Sequence, residues 1–179
     1  MAATCGATSA EAHTVDGCDY RQAGFSVPAI DVSSADTGHP WRATYGYCLW
    51  RKNGFVLHQD WVLSYLDAKP FRGFPGGNGV GIGTDLLFRW HSDWKPSILP
   101  YIDTGVGVQF AAGTSFPADG SRWMFTLHAG PGWLLPLRRE RQAYVSIRYL
   151  HLSNVGLVSN NSGYDVLHLV FGVRWGGPN

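Results

Sequence analysis

From Trp41 onward the chain alternates apolar and polar side chains with a period of two over long runs, the pattern of β-strands with two unlike faces. Seven runs stand out, at 41–51, 55–67, 79–91, 98–111, 122–135, 142–153 and 164–175, separated by turn-rich segments such as KPFRGFPGGNG, GTSFPADGS and NVGLVSNNSG. Residues 1–40 are small and polar, with a single short alternating piece, FSVPAIDV. They read as a poorly structured N-terminal tail or arm able to contribute one strand, ahead of a β-barrel domain over 41–179.

Split by parity, the strands show which face meets which solvent. In 98–111 one face carries Ile98, Ile102, Val106, Val108 and Phe110, and the other Tyr101, Asp103, Gly105, Gly107 and Gln109. The runs at 79–91, 122–135 and 164–175 repeat the division, setting Leu86, Leu127 and Leu169 against Arg89, His128 and Arg174. A solvated outer surface would need more and longer polar side chains than these glycines and scattered charges provide. A narrow lumen fits them, with Asp85, Asp103, Arg89, Arg148 and Arg174 neutralising one another. Long strands that are apolar outward and aromatic near their ends predict an all-β, eight-stranded antiparallel transmembrane β-barrel of the outer-membrane type, closed so that no sticky edge remains. Because such barrels have an even number of strands, an eighth is expected, either in FSVPAIDV or within 55–78. The competing architecture is a soluble lipid-binding barrel with the apolar faces inward.

Composition supports all-β: eight Trp, eight Tyr, nine Phe and 23 Gly, with only two Met. With 15% charged residues and a net charge of +1, the chain has no electrostatic footprint for nucleic acid. No run approaches the roughly 20 apolar residues of a spanning helix. The first residues, MAATCGATSAEAHTVDGC, have no basic n-region or apolar h-region, so a signal peptide is not expected in the chain as given. Cys5, Cys18 and Cys48 lack metal-ligand spacing, and in an exported protein Cys5 and Cys18 are a candidate disulfide.

The stretch RYLHLSNVGL carries the chemistry. Tyr149, His151 and Ser153 share the apolar, outward parity of their strand, and Asp165 shares that of Leu167 and Leu169. A hairpin turning near Val158 and Ser159 places 151 opposite 165, so that Ser153, His151 and Asp165 can meet on the outer wall near one membrane boundary. A serine hydroxyl needs a neutral imidazole to take its proton, and a carboxylate on the other ring nitrogen fixes the tautomer. Asn154 and the turn through Gly156 are candidate oxyanion donors. The bland alternative is that His151 and Ser153 only mark a strand end at the headgroups.

The longer stretch RYLHLSNVGLVSNNSGYD resembles the signature of the lipid A 3-O-deacylase family, also called acyloxyacyl hydrolases, through His151, Ser153, Asn154, Gly156, Gly163 and Asp165, with an Asn at 160 or 161. PYIDTGVGVQF and TSFPADGSRWMFTLHAGPGW extend the similarity more loosely over about 78–175. The resemblance implies a carboxylic ester hydrolase of the outer membrane that removes the 3-hydroxyacyl chain at the 3 position of lipid A, with a Ser–His–acid triad facing the bilayer and no cofactor. The family acid is a glutamate; Asp165 is one methylene shorter. The implied partners are lipid A or lipopolysaccharide and outer-membrane lipids, with a homodimer left open. The second function class is a barrel of the same fold without catalysis, serving a structural or binding role.

No metal site is expected: His58, His91, His128 and His168 are scattered over different strands, and lumen hydrogen bonding suits His128 and His168. GFPGGNGVGIG precedes no helix and reads as a turn entering a strand rather than a phosphate loop. LRRERQ reads as a short solvated hairpin connection.

Overall fold

The computed structural model describes residues 18–32, 38–91, 97–157, 159 and 163–176. Eight strands follow one another: β1 (Arg21–Asp31), β2 (Gly38–Lys52), β3 (Phe55–Ala68), β4 (Gly77–His91), β5 (Leu99–Ala112), β6 (Trp123–Pro136), β7 (Arg141–Ser153) and β8 (Tyr164–Trp175). Each pairs antiparallel with its chain neighbour, and β8 closes on β1. A strand of 14 residues rising ~3.3 Å per residue and tilted by about 40° spans roughly 35 Å, enough for a bilayer core.

The eighth strand is β1, which contains FSVPAID and draws residues 21–31 of the N-terminal segment into the barrel wall. Its alternation is hard to read from sequence because the register against β8 shifts between Pro28 and Ile30. Proline offers no ladder N–H, and a bulge turns the following side chains out of phase.

Orientation is inside-out, which rules out the soluble barrel with apolar faces inward. Val106, Leu169 and Phe171 are exposed, whereas Asp103 and Arg89 have no exposure at all. The lumen is packed with paired charges. Arg89 donates Nε and Nη2 to the two oxygens of Asp103 at 2.8 and 2.9 Å, and Arg148 donates Nη2 to Asp103 Oδ2 at 2.7 Å. Asp85 receives Arg42 at 2.8 Å and Thr126 at 2.9 Å, with His128 Nε2 at 3.2 Å. His168 meets Ser26 at 3.0 Å. Arg174 lies over the Tyr20 ring, 4.3 Å from its centroid, and donates to Gln142. The lumen glycines make this packing possible: a Cβ at Gly46 would stand 1.8 Å from Asp60 Oδ1, and one at Gly107 1.9 Å from Asp85 Oδ1.

Towards one end the lumen becomes apolar. The β5–β6 connection folds inward and buries Phe116 against Tyr164, their ring centroids 5.1 Å apart and nearly perpendicular, in a cluster with Met124, Leu150, Leu152 and Val166. The Tyr164 hydroxyl donates to Gly38 O at 2.7 Å, so the polar tip of the ring is satisfied as well. At the opposite end Cys18 is disulfide-bonded to Cys48, with Cα atoms 5.4 Å apart. That corrects the candidate pairing of Cys18 with Cys5, a residue outside the described set. The β1–β2 register sets Arg21 beside Tyr47, and Cys48 N donates to Tyr20 O at 3.1 Å, which brings residue 18 alongside 48.

The two ends differ in their connections. Among the fully described connections, 69–76 and 113–122 lie at the end with the apolar plug; the shorter 53–54 and 137–140 lie at the end with the disulfide. Asn53 and Gly54 both have positive φ, 48° and 78°, as a tight two-residue hairpin requires. In barrels of this type the longer loops are extracellular and the short turns periplasmic.

Candidate active site

β7 and β8 build the site at the long-loop end of the wall. Their register pairs His151 directly with Asp165, Tyr149 with Leu167 and Leu152 with Tyr164. Alternation then separates two layers. Leu150, Leu152, Tyr164 and Val166 point in and pack in the apolar plug, while Tyr149, His151, Ser153 and Asp165 occupy the outward parity. The outward residues thus stand on two strands whose inner surfaces are anchored by close packing.

His151 Nδ1 lies 2.7 Å from Asp165 Oδ1, and the two side chains are 28% and 35% exposed. This pair on the outer wall is the one that the hairpin register predicts. With Nδ1 held by the carboxylate, Nε2 is the nitrogen left to accept a proton. Ser153 is two residues further along β7, on the same face, at the last position of the strand. Across β6 it sits opposite Phe125, and His151 sits opposite Leu127; both are exposed apolar side chains, so the surroundings of the pair are oily.

After Ser153 the chain turns sharply. Val155 and Gly156 have φ of 51° and 78°, Leu157 N donates to Asn154 O at 3.0 Å, and Gly156 N donates to Asn154 Oδ1 at 2.9 Å. Asn154 is buried. The reading of Gly156 as an oxyanion donor therefore changes: its N–H is committed to Asn154, and its contribution is a left-handed backbone that bends the chain away from the serine. Asn154 is the residue of this turn placed directly after the nucleophile candidate, with its amide held by the Gly156 bond.

One further residue of the site is not evident from the sequence motif, and one glycine of the motif gains a place beside the imidazole. The Tyr149 hydroxyl donates to Asp165 Oδ1, the same oxygen that meets His151. Its parity and its position two residues before His151 are the only signals the sequence carries, and both suit an ordinary lipid-facing aromatic. Gly163, with φ of 63°, backs onto the imidazole. His58, His91, His128 and His168 are all buried, His168 on the lumen side of β8.

Comparison with known proteins follows the same lines. A family model described as Lipid A 3-O-deacylase (PagL) matches residues 30–174. The lipid A deacylase PagL of Bordetella bronchiseptica is 37% identical over 89 residues, a match that spans 48% of this chain and 44% of that protein. The crystal structure of the outer membrane enzyme PagL superposes with a TM-score of 0.62 at 20% identity, covering 84% of this chain and 97% of that one. Neisserial surface protein A follows at 0.54 and 16% identity, covering 88% and 95%. At these identities the structural likenesses establish the outer-membrane barrel fold.

Proposed function

The chain belongs to the lipid A 3-O-deacylase family, and from that premise we propose that it is an outer-membrane esterase that hydrolyses the acyl ester at the 3 position of lipid A. Ser153 Oγ attacks the ester carbonyl while His151 Nε2 takes its proton, and Asp165 holds the imidazole through Nδ1. Collapse of the tetrahedral intermediate expels the sugar alcohol, which receives the proton from His151. Water, activated by the same imidazole, then releases the 3-hydroxy fatty acid and restores Ser153. Asn154 is the candidate to donate to the oxyanion; one such donor in a dry site typically contributes about 3 kcal/mol to the transition state.

The observation that carries this reading is the His151–Asp165 pair at 2.7 Å, set among exposed apolar residues on the outer wall at the long-loop end. An extracellular-facing rim is where the outer leaflet places a glycolipid, and the outward direction is where its acyl chains lie. A catalytic pair aimed into the lumen would meet neither. Refolded protein in detergent micelles, incubated with lipid A, is expected to release 3-hydroxy fatty acid. Ser153→Ala should lower that rate by about a thousandfold or more. A wild-type barrel that releases none would favour the structural or binding role, and activity that persists in Ser153→Ala would remove Ser153 from the mechanism.

A further inference from the structure

We propose that Tyr149 is a positioning residue for the reaction, holding the Asp165 carboxylate in the orientation that His151 needs; the inference rests on the esterase reading of the site. Tyr149 and His151 project from the same face of β7, and Asp165 faces them from β8, directly opposite His151 and diagonal to Tyr149. The phenol and the imidazole both meet Oδ1 of Asp165. An aspartate carboxylate turns about a single bond beyond its Cβ, and one donor leaves it free to swing between its two oxygens. Two donors converging on one oxygen from the same strand remove that freedom.

The surroundings give the hydroxyl its importance. Leu127 and Ile147 are exposed apolar neighbours on this wall, and a carboxylate beside hydrocarbon is stabilised by whatever donors the protein provides. On the outer face of β2 the Tyr47 hydroxyl donates to the neutral Gln59 Oε1 at 2.8 Å; the Tyr149 hydroxyl instead reaches a charged group of the site. A tethered aspartate keeps its carboxylate at hydrogen-bond distance from Nδ1 of His151.

Tyr149→Phe removes only the hydroxyl and keeps the lipid-facing ring. In the micellar lipid A assay, with folding checked by heat-modifiable gel mobility, kcat is expected to fall about tenfold, the order of one hydrogen bond to a charged group, while KM stays within about twofold. In an Asp165→Ala background, assayed over long incubation for its residual rate, the same change should alter kcat by less than about twofold, because the group through which the hydroxyl acts is gone. Wild-type kcat in Tyr149→Phe, or an equal loss with and without Asp165, would overturn the proposal and leave the triad standing. An inactive wild type alongside an unchanged fold would instead overturn the triad and the proposal together.

Discussion

A Cβ on Gly163 would stand 3.1 Å from Cε1 of His151 and 3.9 Å from its Nε2. The glycine lies just before β8 with φ of 63°, so it meets two demands at once: a left-handed backbone and an empty space beside the imidazole. Gly163→Ala is expected to cost about 1 kcal/mol of strain at that φ and to press on the ring edge that exchanges the proton. Turnover on lipid A should fall about tenfold, with the barrel still folded by gel mobility. Turnover equal to wild type would mean that the ring has room to yield.

Asp165→Asn keeps the shape of the acid and removes its charge. The neutral amide cannot stabilise the imidazolium and can present N–H to Nδ1, favouring the wrong tautomer. A fall in kcat of at least about a hundredfold is expected, with Tyr149 intact. Steady-state rates of 3-hydroxy fatty acid release would check it, and a loss below tenfold would show that His151 works without its carboxylate.

In the lumen, Asp103 answers both Arg89 and Arg148. Asp103→Asn leaves two buried guanidinium groups without a counter-charge, and breaking a buried pair in this way is destabilising by about 3–5 kcal/mol. Urea unfolding of the barrel in detergent, followed by tryptophan fluorescence, should show the midpoint drop. The catalytic rate of the protein that remains folded should change little, because these groups share no contact with Ser153, His151 or Asp165.

Reduction of the Cys18–Cys48 bridge, or Cys48→Ser, opens a loop with a sequence separation of 30. The chain-entropy model assigns such a loop about 3–4 kcal/mol. The expected result is a lower unfolding midpoint with unaltered turnover at 25 °C, since the bridge sits at the short-turn end and the site at the other. A bridge of this kind also fits an oxidising compartment.

Phe116 supports the site from inside. Its ring packs on Tyr164, the residue before Asp165, and shares a cluster with Leu150 and Leu152, which flank His151. Phe116→Ala should destabilise by about 3 kcal/mol and also lower kcat, because the two strands that carry the acid and the base lose their common backing. Stability lost with kcat retained would show that the β7–β8 ladder alone fixes the site.

Much of this was legible in the residues. Parity alone told that Asp103, Arg89 and Arg174 turn inward while Val106, Leu169 and Phe171 turn outward, because a strand's side-chain period is fixed by backbone geometry. The pairing of 151 with 165 followed from hairpin arithmetic. What stayed hidden depends on tertiary neighbours. Pro28 and the adjacent bulge scrambled the alternation of β1; Asp85 finds Arg42 across the lumen, not along the chain; and Cys18 meets Cys48 only through the β1–β2 register. Tyr149 carries no motif, since a tyrosine facing lipid is what any such strand would show. The sequence offers the Gly156 N–H as a candidate oxyanion donor, because its bond to Asn154 belongs to the shape of the turn.

The charged and aromatic side chains that fill the barrel have a physiological corollary. With Arg89, Asp103 and Arg148 interlocked at its centre, the cylinder is a solid peg rather than a conduit. Many copies could sit in a permeability barrier without opening a passage through it.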